Sequence, residues 1–115
     1  MSECLFCKIA RKEIPAALVY EDEQLLAFKD IFPQAPVHLL IIPKSHCEGL
    51  SDQTPEIAAA ADAVIGGELR GQLGDPGGGS GWRLVSNCGP DAGQVVFHLH
   101  FHLLGGRPLG GKICL

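Results

Sequence analysis

Between positions 98 and 104 the chain reads His-Leu-His-Phe-His-Leu-Leu, in which imidazole and apolar side chains alternate as far as Leu103. A helix would scatter this pattern around its circumference. A strand, whose successive side chains point to opposite faces, sorts it: His98, His100 and His102 fall on one face, and Leu99, Phe101 and Leu103 on the other. With a rise of ~3.3 Å per residue, neighbouring imidazoles stand roughly 6.6 Å apart, within reach of one small ligand. Three polar rings on a sheet face each need a partner, so the triplet reads as a functional site built on a rigid element.

The chain around this strand has 115 residues, of which 46% are hydrophobic, enough for one domain with a modest core. Its net charge of −4 argues against a nucleic-acid or membrane-surface partner, which would want a basic face. A phosphate-bearing ligand would have to be held by local donors. No basic stretch leads into a long apolar segment at the N-terminus, and no run approaches the ~20 apolar residues of a membrane span, so a cytoplasmic location is expected. The five cysteines, at positions 4, 7, 47, 88 and 114, are odd in number and irregularly spaced. They fit a reducing compartment better than a disulfide framework.

A short helical turn over residues 9–14 precedes Pro15, which disfavours the helical conformation in its predecessor. Leu18–Glu21 and Leu25–Asp30 read as strands joined by a polar turn, and Val37–Ile42 is a nearly continuous apolar run suited to a central strand covered on both faces. Thr54-Pro55-Glu56 supplies an N-cap, a proline for the first helical position and an acid for the first turn. Ile57, Ala61, Val64, Ile65 and Leu69 then recur at helical spacing, with Gly66-Gly67 marking a bend or early fraying. Residues 74–81 form a glycine-rich loop, Trp82–Asn87 another strand, and 88–93 a turn before the histidine strand. Strands in hairpin order with one main helix predict an antiparallel α+β domain.

Cys4 and Cys7 form a Cys-x-x-Cys knuckle, the spacing at which two thiolates in a tight turn share one Zn²⁺. A tetrahedral site needs two more ligands, and His46 and the histidine triplet are available. The residues alone leave three readings open: a structural zinc site, unliganded thiols, and a redox pair, although a redox motif normally opens a helix after a buried strand.

Residues 87–104, running from Asn87 through Gly93-Gln94-Val95 into the histidine alternation, resemble the histidine-triad (HIT) nucleotide-binding family, whose signature is three histidines alternating with apolar residues. Asp30–His38, Ile42–His46 and Glu13-Ile14-Pro15 match further segments of that family in order, so the resemblance covers most of residues 3 to 107. The nearest branch is the Hint-like one that carries a Cys-x-x-Cys zinc knuckle.

The resemblance implies a single histidine-triad domain over 1–115, with its knuckle at 4–7 and its triad motif at 98–104. The implied sheet has about five mainly antiparallel strands, with one main helix and a short N-terminal one. It implies a hydrolase of the adenosine 5'-monophosphoramidase type, cleaving purine nucleoside phosphoramidates or related nucleotidyl conjugates. His100 would attack the α-phosphorus to form a covalent nucleotidyl-histidine, splitting one hard displacement into two. His38 would orient that nucleophile, and His102 would donate to a phosphate oxygen or the leaving group. Asn87, the Gln94 side chain and the Gly93-Gln94-Val95 backbone would add neutral donors. Asp30 would accept the ribose hydroxyls, while Leu5, Phe6, Ile9, Phe28 and Ile31 would sandwich the base. Structural zinc would be held by Cys4, Cys7, His46 and His98, and two chains would form a homodimer. Val95 stands where this branch usually has a serine, and the tail lacks a tryptophan found in some relatives, so leaving-group preference would differ. Two further readings are a nucleotide-binding regulatory protein with weak hydrolysis and a dinucleoside polyphosphate hydrolase.

Overall fold

The fold is set by β3, Val37–Pro43, whose side chains are buried at every position after the first. So apolar a strand needs partners on both edges and cover on both faces. A computed structural model, which describes residues 4–49, 55–67, 69 and 81–111, supplies both. β1 (Leu18–Glu21) and β2 (Leu25–Lys29) form a hairpin whose second strand pairs with one edge of β3. The other edge pairs with β5 (Phe101–Gly105), which in turn takes β4 (Arg83–Val85). The result is a five-stranded sheet in the order β1-β2-β3-β5-β4, antiparallel throughout. This is the α+β arrangement expected from the sequence.

The hairpin turn is built by Asp22. Its Oδ1 accepts the N–H groups of Gln24 and Leu25, both at 2.7 Å, and its Oδ2 accepts the Tyr20 hydroxyl at 2.6 Å. Helix α1 (Leu5–Ala10) is capped by Cys4, whose sulfur accepts the Cys7 N–H. Helix α2 (Pro55–Gly66) stops at the first of the paired glycines. The expected N-cap Thr54 and most of the glycine-rich loop lie outside the described residues.

The two faces of the sheet carry different loads. Odd-numbered positions of β2, β3 and β5, with Leu25, Ala27, Leu39, Ile41, Phe101 and Leu103, meet Ala61, Val64, Ile65 and Leu69 from the segment of α2 in one apolar cluster. Even-numbered positions face α1, where Leu26, Phe28, Leu40 and Ile42 pack with Phe6 and Ile9. His38 and His102 belong to this second face. Each face thus follows the period-2 rule, and the polar residues collect opposite the main helix.

The histidine alternation departs from expectation in one respect. Leu99, Phe101 and Leu103 do share the α2 face, but the paired strand begins only at Phe101, so His98 and His100 precede it. Proline 43 ends β3 and has no N–H to extend the ladder. The Leu99 N–H instead goes to the Cys47 carbonyl. The strand expected over 82–87 is likewise confined to Arg83–Val85, its pairing ending at Val85 opposite His102.

After β5 the chain turns sharply beneath the 30–36 loop. A Cβ on Gly106, at φ +88, would lie 3.0 Å from Pro36 Cβ and 3.2 Å from Val37 Cγ2, so only glycine passes there without displacement.

Candidate functional site

The register of β3 on β5 sets Leu40 opposite His102 and Leu104 opposite His38, making the two histidines diagonal neighbours on one face. His38 Nδ1 accepts the Gln34 backbone N–H at 3.0 Å. A neutral ring has one proton, so it sits on Nε2 and is donated to His102 Nδ1, 2.9 Å away. His102 must then carry its own proton on Nε2. Asp30 stands beside the pair, its Oδ2 3.4 Å from His38 Nε2 and its Oδ1 accepting the Phe32 N–H at 2.8 Å.

His100 is arranged in the opposite sense. Its Nδ1 donates to the His98 carbonyl at 2.8 Å, which leaves Nε2 unprotonated. Its ring centroid is 5.1 Å from that of His102 and 5.0 Å from that of Phe6, which meets it edge-on. The Ser86 hydroxyl donates to the His100 carbonyl at 3.2 Å. The site therefore presents one bare ring nitrogen next to an imidazole held ready to donate from Nε2, the pairing needed to attack an electrophile and stabilise its oxygen.

Here the sequence expectation for His38 is corrected. It orients His102, not His100, and a main-chain carbonyl fixes the His100 ring. Neither that carbonyl nor the Gln34 N–H has a side-chain signature that sequence reading could have found.

The other expected ligand groups divide. Phe6, Ile9 and Phe28 are buried on the α1 face, joined there by Leu40, which the sequence reading missed although its alternation with His38 marked it. Leu5 and Ile31 are exposed, the latter at 82%, and stand outside that buried cluster. A cleft of about 230 Å³ opens along the Asp30 and His38 side, against Pro33 and Pro36. Asn87 lies half-buried beyond β4. Val95 is 84% exposed.

The expected donors of Gln94 and Gly93 are turned inward. The Gln94 amide gives both hydrogens to main-chain carbonyls, Glu48 at 2.6 Å and Val96 at 3.1 Å, and its oxygen accepts the Gly89 N–H at 2.7 Å. The Gly93 and Gln94 N–H groups bond to the Pro90 and Gly89 carbonyls. Gln94, only 6% exposed, thus fastens the 89–96 loop, because a buried amide left unpaired would cost roughly 1–3 kcal/mol. Gly93, at φ +89, closes the short 3₁₀ turn at 90–92 in a left-handed conformation.

His98 leaves this ensemble altogether. Its Nε2 donates to the Pro43 carbonyl at 2.8 Å, so Nδ1 is bare and lies 3.3 Å from Cys4 Sγ and 3.5 Å from Cys7 Sγ. His46 Nδ1 is 3.3 Å from Cys7 Sγ. Ligand atoms of Cys4, Cys7, His46 and His98 all lie within 4.8 Å of one another, as do those of a second group, Asp30, His38 and His102. The tautomers separate the two. A metal on His38 Nε2 would have to displace the ring proton while Nδ1 stays engaged by Gln34, whereas the His98 Nδ1 lone pair already faces the cysteine sulfurs and the far nitrogen is held by a carbonyl, the usual support behind a metal-bound histidine. Of the two groups, the Cys₂His₂ cluster is the one whose donor atoms are arranged to accept a metal ion.

Burial pushes the imidazoles of His38 and His102 below their ordinary pKa; at His102 the neighbouring His100 and His38 rings add to the fall, and Asp30 opposes it at both. A lowered value means that the unfolded chain binds more protons than the folded one just below the ordinary imidazole pKa. Unfolding free energy is therefore expected to be level above about pH 7 and to fall as pH drops through about 6, measured by urea titration. The decline should be shallower in His102→Gln.

The HIT domain model matches residues 11–109. A purine nucleoside phosphoramidase of Escherichia coli K12 is 43% identical over 110 residues, covering 94% of this chain and 91% of that one. Among solved structures, a HIT family hydrolase from Clostridium thermocellum superposes with a TM-score of 0.88 at 44% identity, covering 98% of each chain. A Zn-bound histidine triad family protein from Mycobacterium smegmatis gives 0.81 at 37% identity, over 96% of this chain and 79% of its own. With its histidine motif, sheet order and these relatives in agreement, the chain belongs to the HIT domain family.

Proposed function

We propose that the protein hydrolyses purine nucleoside phosphoramidates or related nucleotidyl conjugates through a nucleotidyl-His100 intermediate. The observation that carries this reading is the His100 ring itself, its Nδ1–H given to the His98 carbonyl and its Nε2 lone pair left bare beside His102. In the first step Nε2 attacks the α-phosphorus, a new P–N bond forms, and the bond to the leaving amine breaks. The departing nitrogen keeps the electron pair and takes up a proton from solvent, which the attacking water of the second step gives back. In the second step water attacks the same phosphorus, the His100 nitrogen leaves, and the nucleoside monophosphate is released. His102, with Nε2–H directed away from His38, donates to a phosphate oxygen as charge builds. His38 holds that proton arrangement in place, and Asp30 steadies His38 while offering a carboxylate to the ribose hydroxyls.

The base lies on the α1 face against Leu5, Phe6, Ile9, Phe28 and Ile31. Apolar contact of this kind grips a purine without reading its edge, so preference among purines is loose. Support for the substrate class comes from the similarity to a purine nucleoside phosphoramidase.

The Cys₂His₂ cluster holds zinc. Tetrahedral coordination with Zn–S of ~2.3 Å and Zn–N of ~2.0 Å requires S···N separations of about 3.5 Å. The separations here are 3.3, 3.3 and 3.5 Å. A bound ion would supply structural cross-linking between α1, the segment after β3 and the approach to β5.

Two chains associate through β4. This strand is one edge of the sheet, and Trp82 just before it and Leu84 on it are 45% and 39% exposed. An unpaired edge with apolar side chains is best covered by a second copy.

Four measurements test this reading. His100→Ala should lower turnover of an adenosine phosphoramidate by at least about 10³-fold, and brief exposure of the parent to substrate should leave a phosphorus-linked His100 detectable by mass spectrometry; undiminished turnover would remove the nucleophile. Metal analysis without chelator should give about one zinc per chain, lost in a Cys4→Ser, Cys7→Ser double variant. Sedimentation equilibrium should give a dimer that Leu84→Lys converts to monomer, and a monomeric parent would discard the β4 interface.

A further inference from the structure

The segment from His98 to His100 lies outside the sheet ladder, yet it carries the groups that orient the nucleophile. What holds it comes from the metal-ligating cluster. The His98 ring is fixed at both nitrogens, Nδ1 among the cysteine sulfurs and Nε2 on the Pro43 carbonyl. The main-chain carbonyl of the same residue receives the His100 Nδ1–H at 2.8 Å. The Leu99 N–H goes to the carbonyl of Cys47, the residue after the ligand His46.

A second route runs through α1. Six residues make too short a helix to persist alone, and here its N-cap is Cys4 and its first turn contains Cys7. Between the two ligands sits Phe6, 5% exposed, whose ring meets His100 edge-on with centroids 5.0 Å apart and an interplanar angle of 86°. The same ring meets His98 at 6.0 Å. Ligands far apart in sequence thus converge on one imidazole, through a carbonyl on one side and an aromatic edge on the other.

We propose that the Cys4–Cys7–His46–His98 cluster sets the orientation of the His100 ring, with His98 and Phe6 as the positioning residues that join metal centre to nucleophile. This rests on the reading of His100 as nucleophile. Loading the cluster locks the 98–100 segment and α1 together and keeps His100 in its Nδ1–H form. Emptying it releases both anchors, and the ring samples the other tautomer and other rotamers.

The test reads His100 with no nucleotide present. In the full chain labelled with ¹⁵N-histidine, at one fixed pH near neutrality, long-range proton–nitrogen correlation reports the tautomer of each ring. Acylation by diethyl pyrocarbonate, followed by peptide mass, reports exposure of the bare His100 nitrogen. Zinc-loaded protein should show one His100 tautomer. Removal of zinc by chelation should give a mixture and change the His100 acylation rate at least about twofold, the effect of an even mixture that halves the form with a bare Nε2. Phe6→Leu, which keeps all four ligands, should bind zinc at parent stoichiometry and still show a mixed His100 signal.

An unchanged His100 tautomer and acylation rate after zinc removal from a folded chain would overturn the proposal. If the zinc-free chain unfolds, the zinc-loaded Phe6→Leu protein decides, and a His100 signal identical to the parent's would overturn it. Coupling seen here together with absent phosphoramidate turnover would instead defeat the hydrolase reading, so the two failures are distinguishable.

Discussion

The antiparallel register of β3 on β5 is the constraint on which the rest depends. It sets His38 diagonally from His102 and turns both toward α1, while Leu39, Ile41, Phe101 and Leu103 turn toward α2. A slip of one residue would exchange the faces, burying imidazoles under the main helix and exposing leucines to the ligand side. The apolar cluster beneath α2 makes that exchange prohibitively costly. Hydrophobic burial on one face therefore enforces polar geometry on the other, and the fold's largest favourable term is also what aligns its chemistry.

Much of this was legible in the sequence. The alternation from His98 to Leu104 separated a polar from an apolar face before any coordinates, and Val37–Ile42 announced a central strand by its lack of polar residues. The Cys-x-x-Cys spacing marked two candidate metal ligands. What could not be read was where sheet pairing stops. Side-chain period alone does not say whether a neighbour supplies hydrogen bonds, and here β3 runs out at Pro43, leaving His98 and His100 outside the sheet ladder, with His98 in a bend. Gln94 illustrates a second limit: an amide in the loop leading into the histidine motif suggests a ligand contact, yet three main-chain groups use it first. Sequence shows which donors exist, not which are already engaged.

The two candidate metal groups teach the same lesson with titratable residues. Both gather three or more suitable side chains within a few ångströms, and proximity alone would rate them equally. Accounting for every ring proton separates them, because a nitrogen committed to keeping its hydrogen is not a ligand. The imidazoles thereby divide into a pair that passes a hydrogen bond along, one that keeps a lone pair bare, and two turned toward sulfur.

In His38, His98, His100 and His102 the proton position follows from a main-chain group: the Gln34 N–H for His38 and through it His102, the His98 carbonyl for His100, and the Pro43 carbonyl for His98. Peptide groups do not change when neighbouring side chains are substituted. Provided the backbone path is retained, the surrounding pocket is free to diverge toward other bases or leaving groups while the protonation pattern is inherited intact.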